Sequence, residues 1–294
     1  MSKISIIMFY NNKLGYTEKD FDRIIQSVVN QNYADWELLI VDERGTNASY
    51  PKISNHANIH HLPGNFENRA QALNHSITQA TGDYIMLVNN LQSPITFRLS
   101  TLEMFWAIAQ RHSILGMIYS DYCLVDKDGT KKDVHLLDHH EGRLRDNMDF
   151  GPVWFFPKQV LNHVGGLNEK YQAAFLYDLR LRVSEKFKLA HIAAAKNGFT
   201  YYVQAAETKQ DVFDYLRSGK KIQLEMEDAL TAHLKRIGAY LAPEANYHQV
   251  KYTAEEEKKF EQCIASVVIP VFNREEFIGT AIESVQAQTV QNVE

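Results

Sequence analysis

Three short apolar runs constrain this chain more than any other feature. They are ISIIMFY (4–10), ELLIVDE (37–43) and YIMLV (84–88). Each is continuous, as strands buried on both faces tend to be. Stretches with helical spacing separate them. In FDRIIQSVVNQ (21–31), Phe21, Ile24, Ile25, Val28 and Val29 share one face. NRAQALNHSITQATG (68–82) reads as a helix closed by Gly82. ANIHHLP (57–63) is a weaker strand, and TFRLSTLEMFWAIAQRH (96–112) a helix following Pro94. GMIYSDYCLVD (116–126) reads as one strand that turns at Lys127-Asp128-Gly129, where Asp-Gly favours a tight hairpin. This alternation argues for an α/β fold, a mainly parallel sheet with helices on both faces. Right-handed crossovers then place the turns after residues 10, 43 and 88 along one rim, where such folds bind ligands.

After residue 130 the pattern is mixed. VWFFPKQVLNHVGGLN holds a strand, a proline break and a short helix ending at Gly165-Gly166. FLYDLRLRVSEKF (175–187) reads as a helix, and LAHIAAA and TYYVQAA as late strands. From about 210 the chain reads as a charged helical arm with a Ser-Gly break. Its residues Leu224, Met226, Ala229, Leu230, Leu234 and Ile237 can form an inner face. Its mixed charge suits packing on the domain better than a membrane surface. EANYHQVKYTAEEEKKFEQ reads as a polar linker.

Composition narrows the function classes. Hydrophobic residues make up 45% of the 294, enough for a large core. The net charge of -5 gives no sequence-wide footprint for nucleic acid. Two distant cysteines, Cys123 and Cys263, make neither a disulfide framework nor a paired-Cys zinc motif. The apolar run at the N-terminus is too short for a signal core or a membrane span. A cytoplasmic protein is expected, with peripheral contact at the inner membrane face left open.

The last residues repeat the first. SIIMFYNN (5–12) lines up with SVVIPVFN (266–273), and QSVVNQNYADWE (26–37) with ESVQAQTVQNVE (283–294). In the second pair Ser27, Val28, Gln31 and Glu37 match Ser284, Val285, Gln288 and Glu294. The expected organisation is a first domain over 1–203, a helical extension and linker over 204–263, and the start of a second copy over 264–294. One strand and one helix cannot bury their own faces, so the chain reads as part of a longer tandem protein whose second domain is its partner.

In their order and spacing these pieces resemble the family 2 glycosyltransferases, which have the GT-A fold. WELLIVDERGTN is similar to the family's second strand, and NRAQALNHSITQATGDYIMLVNN to its Arg-Asn helix and the strand leading to its Asp-x-Asp motif. IYSDYCLVDKDG and VGGLNE also fit, as does SVVIPVFN with SVQAQT in the second copy. The resemblance implies sugar transfer from a nucleotide-sugar donor, most simply a UDP-sugar, to a saccharide or lipid-linked acceptor in surface polysaccharide synthesis. It implies Mg²⁺ or Mn²⁺ as cofactor: carboxylates hold the cation, which neutralises the diphosphate leaving group. It also implies an Asp or Glu base for the acceptor hydroxyl.

Several positions depart from that pattern. Asp-x-Asp falls on Asn89, Asn90 and Leu91, which leaves Asn89 as the expected metal contact. The Glu-Asp base motif falls on Phe175 and Leu176, just before Asp178, Leu179 and Arg182. Phe9 stands where the family has proline. The expected nucleotide-binding set is Phe9, Asp42, Glu43, Arg69, Asn89 and Asn90. Asp42 either accepts the imide N–H of uracil or caps a turn; Arg69 either nears the nucleotide or is a surface arginine. Asp121 is the candidate catalytic base, with a structural acid at a strand end as the alternative. His135, His139 and His140 either share a helical face for a metal or lie in a solvated loop. Arg143 and Arg145 either touch a phosphate or belong to a mixed surface. Metal site and base are lost together, so the expected role is a weakly active or inactive copy, or a non-catalytic module that recognises substrate for an active second domain.

Overall fold

The structure is a computed structural model. It describes residues 2–10, 17–43, 56–90, 93–111, 114–205, 219–242, 253–271, 275–290 and 293. The chain forms two compact units, Met1–Tyr240 and Leu241–Glu294. The first unit begins β1 (Ile4–Tyr10), α1 (Glu18–Val29), β2 (Trp36–Asp42), β3 (Ile59–Pro63), α2 (Arg69–Gln79) and β4 (Tyr84–Val88). It continues with β5 (Ile95–Phe97), α3 (Thr101–Ala109), β6 (Leu115–Ser120), β7 (Tyr122–Val125) and β8 (Lys131–Val134). Then come β9 (Val153–Pro157), α4 (Lys158–His163), α5 (Phe175–Ser184), β10 (Lys188–Ile192), α6 (Ala194–Asn197), β11 (Tyr201–Gln204) and α7 (Lys220–Arg236).

A seven-stranded sheet has the order β10-β6-β9-β4-β1-β2-β3 and is parallel except for β9. The apolar runs are continuous because alternate residues feed two cores. Ile4, Ile6 and Met8 meet Ile24, Ile25 and Val28 of α1 on one face. Ile7 and Phe9 join Ala70, Leu73 and Ile77 of α2 on the other. Thr17 and Asp20 form a capping box that starts α1, and the Asn68 side chain accepts from the Gln71 N–H to start α2. Because β1, β2 and β4 run parallel, their C-terminal ends share one rim.

Four expectations change here. The run read as one strand over 116–126 breaks at Asp121: β6 joins the large sheet, and β7 joins a second sheet of order β5-β11-β7-β8. The expected Asp-Gly hairpin joins β7 to β8, with Gly129 at φ 85°. The helix expected from residue 96 starts at Thr101, because Tyr201–Val203, about a hundred residues later, pairs antiparallel with Ile95–Phe97. Helix α2 ends at Gln79, and Gly82 serves a close approach instead. A Cβ there would lie 2.6 Å from Ser5 Oγ and 2.7 Å from the Lys3 carbonyl oxygen. The polar linker contains helix α8 (Ala254–Gln262), opened by a Thr253–Glu256 capping box.

The described part of the arm, α7, packs on α5, so the first compact unit runs to Tyr240 rather than to 203. Glu225 Oε2 accepts from the N–H groups of Gln172, Ala173 and Ala174, at 2.9, 2.8 and 3.3 Å, and so caps α5 from another element. The Tyr171 hydroxyl donates to Asp228, and Glu185 holds both His233 and Arg236 at 2.8 Å. Residues 206–218 lie outside the described residues. The second unit holds α8, an extended stretch over 264–271 and α9 (Glu275–Gln286), with one parallel bridge between Ala265 and Val293. No helix among the described residues is long and apolar enough to cross a membrane.

Candidate functional site

The rim formed by β1, β2 and β4 carries most of the expected site. Asn90 is fully buried. Its Oδ1 accepts from the Phe9 N–H at 3.0 Å, and its Nδ2 donates to the Phe9 carbonyl at 2.8 Å. The side chain therefore ties the end of β4 to the end of β1. Asn89 is exposed, and its backbone N–H donates to the Pro152 carbonyl at 2.8 Å. Leu91 and Gln92 lie outside the described residues. One neutral amide does not make a site for a divalent cation. Among the described residues, no cluster of three or more His, Cys, Asp or Glu side chains could hold a metal ion. Among the described residues, those at the family's metal position offer the implied cation no carboxylate.

The pair Phe9–Asn90 makes a direct prediction. Asn90→Asp sets a carboxylate against the Phe9 carbonyl oxygen. It is expected to lose about 1–3 kcal/mol of stability and to gain no Mn²⁺ affinity. Thermal melts with and without Mn²⁺ check both outcomes; a rise in melting temperature with Mn²⁺ would contradict the structural role.

Asp42 is also fully buried, and its Oδ2 lies 2.9 Å from His61 Nε2 on β3. His61 was not singled out in the sequence, because its partner is reached only through β2–β3 pairing. Glu43 and Arg69 come together at 3.8 Å, both exposed, a geometry of little energetic consequence. Phe9 is core, 3% exposed.

Beneath Asn89 lies a pocket of about 60 Å³ lined by Phe9, Leu73, Leu87, Val88, Asn89, Gly151, Pro152, Trp154, Phe175 and Leu176. Phe175 and Leu176, at the family's base position, are part of this apolar wall. Asp178, one turn along, is no substitute. It is buried and paired with Arg182, whose Nε and Nη2 both lie 2.7 Å from its Oδ2.

Asp121, the candidate base, has surroundings that suit the alternative of a structural acid at a strand end. It stands at the break between β6 and β7 and is 2% exposed. Its carboxylate accepts from the N–H groups of Leu136 (2.7 Å) and Ala194 (2.8 Å). It also lies 3.1 Å from His135 Nδ1 and 2.7 Å from His191 Nε2. Burial raises the Asp121 carboxyl, but the two backbone donors and the two imidazoles outweigh it and hold it below the usual carboxylate value. These four contacts tie the strand break to the segments around residues 135–136 and 191–194, as a structural clamp would. His191 sits between Asp121 and Asp138, stacked on Tyr119 at 5.0 Å.

The histidine group is not a helical face. His135 turns to Asp121, while His139 packs near Phe150 and its imidazole is pushed down mainly by burial. The Arg143 and Arg145 carbonyls accept from the buried Arg180 guanidinium, which lies 4.8 Å from the Phe150 ring and 5.1 Å from that of Tyr177.

Residues 5–90 match the family described as Glycosyl transferase family 2. Over 280 residues the chain is 25% identical to the O-antigen biosynthesis protein RfbC of Myxococcus xanthus, covering 90% of this chain and 20% of that protein. Over 90 residues it is 33% identical to the putative glycosyltransferase EpsE of Bacillus subtilis, covering 28% of this chain and 31% of that one. The chain thus spans between a fifth and a third of the curated relatives it matches. Among solved structures it resembles residues 1–349 of S. aureus TarS in complex with UDP-GlcNAc. That likeness has a TM-score of 0.52 at 16% identity, over 87% of this chain and 78% of that one, and is a likeness of fold. A mainly parallel sheet and the TarS likeness show that the chain has the GT-A fold, and its residues 5–90 match the family 2 glycosyltransferases.

Proposed function

We propose that the protein acts in surface polysaccharide synthesis at the cytoplasmic membrane face. It would take part in sugar transfer from a nucleotide-sugar donor, a UDP-sugar, to a saccharide or lipid-linked acceptor. In this reading the domain recognises substrate and does not itself carry out metal-assisted transfer. One observation carries the proposal. The base position holds Phe175 and Leu176, which wall an apolar pocket, and the first metal position holds the neutral amide of Asn89, beside Asn90 tied to the Phe9 backbone. The relatives supply the setting: one is named for O-antigen biosynthesis.

The reading includes a second domain beginning near residue 264. The bridge Ala265–Val293 repeats the register Ile4–Trp36 of β1 and β2. Gln288 Nε2 donates to the Ser284 carbonyl at 2.9 Å, as Gln31 Nε2 does to Ser27 at 2.8 Å. Yet Val267 and Val268 are 43% and 85% exposed, whereas their counterparts Ile6 and Ile7 are fully buried. The unit's described residues have the order of a GT-A first strand and helix.

Calorimetric titration of UDP into the full chain, with and without Mn²⁺, tests the proposal. Binding indifferent to Mn²⁺, with no hydrolysis of UDP-GlcNAc or UDP-glucose, is expected. Metal-dependent donor hydrolysis that Asp42→Ala or Asp121→Asn abolishes would sink it.

A further inference from the structure

We infer that the apolar pocket beneath Asn89 holds the methyl group of a neutral saccharide, either the acetamido methyl of an N-acetylhexosamine or the C6 methyl of a 6-deoxyhexose. The inference rests on the reading of this domain as a recognition module and names what it recognises. Size comes first. The pocket measures about 60 Å³. A single water needs roughly 10–15 Å³ on this scale and a benzene-binding cavity is roughly 150 Å³, so the space suits one small alkyl group.

Chemistry comes second. Phe9, Leu73, Trp154, Phe175 and Leu176 offer water no partners, and among the described residues no charged side chain lines the pocket. A charged or hydroxyl-rich group would lose hydration there without compensation. The mouth is different. Asn89, which also lines the pocket, is exposed and carries an amide with both donors and an acceptor. The half-buried Trp154 has already given its indole N–H to the Gly151 carbonyl at 2.8 Å, so what it offers a sugar is its ring. A methyl inside and polar groups outside match the two faces of such a sugar.

The wall is also preorganised. Phe175 and Leu176 open helix α5, whose preceding N–H groups are held by Glu225 from α7. Little ordering remains to oppose binding.

Saturation-transfer NMR on the full chain, without metal or nucleotide, tests this with N-acetyl-D-glucosamine, L-rhamnose and D-glucose as probes. One of the two methyl-bearing sugars is expected to bind about tenfold or more tightly than glucose, with the strongest saturation at its methyl protons; which one identifies the source of the methyl. Leu176→Asp is expected to abolish the preference, and Leu176→Ala, which keeps an apolar wall, to weaken it. Equal binding of all three sugars, saturation confined to ring protons, or an undiminished preference in Leu176→Asp overturns the inference. Failure here with Mn²⁺-indifferent UDP binding intact removes only this inference. Metal-dependent hydrolysis removes the reading beneath it.

Discussion

Glu37→Ala is expected to cost about 3–5 kcal/mol and to lower the melting temperature by about 10 °C. Glu37 sits at the start of β2, at the end of the sheet opposite the site, with its side chain 3% exposed. Its carboxylate accepts from Ser5 Oγ (2.5 Å), the Thr81 N–H (2.6 Å) and Thr81 Oγ1 (2.8 Å), and pairs with Lys3 Nζ (2.9 Å). Burial alone would raise this carboxyl. The bonds from Ser5, Lys3 and Thr81 overcome that and hold it at about 2, against an ordinary 4.5. A folded pKa below the unfolded one means stability that is fully present above the unfolded value and lost as pH falls through the folded one. The wild-type chain should therefore lose about 3 kcal/mol through this group between pH 4.5 and 2. Urea melts across that range should show the loss in wild type and its absence in Glu37→Ala. A variant with an unchanged acid slope would show that the network does not stabilise the fold.

Asp121→Ala is the second large effect, again about 3–5 kcal/mol. It orphans the N–H groups of Leu136 and Ala194 and leaves His191 facing Asp138 alone. Hydrogen exchange should accelerate over 135–149 and around 191–194, and not in β1 or β2. A catalytic base behaves otherwise: Asp121→Asn would then leave exchange unchanged while removing turnover. Exchange protection preserved in Asp121→Ala would overturn the clamp and return Asp121 to the candidate bases.

Both residues were visible in the sequence, but only one function of each. Glu37 appears there as a repeat position matched by Glu294, and Asp121 as an acid at a strand end. Neither pattern shows that the first closes a bond network with a strand and a turn, or that the second gathers four donors from three segments. The same limit applies to Asn90. Sequence spacing puts it in the middle of the family's metal motif, and only the approach of β1 shows its amide bonded to the Phe9 backbone. His61 and Glu225 carry no local signal at all, because their partners are 19 and about 51 to 53 residues away.

What the sequence determined by itself is the layered α/β frame. Periodicity is local: a run apolar at every residue must be covered on both faces, and helices at 3.6 spacing supply the cover. The order of runs and helices then sets a parallel sheet and its ligand rim. What only the tertiary structure decided is the use of each polar group on that rim, because a buried donor or acceptor is satisfied by whatever chain packs beside it. At the rim of this domain those neighbours are the Phe9 backbone, Leu136 and Ala194, and the space that carboxylates would occupy is walled by Phe175, Leu176 and Trp154.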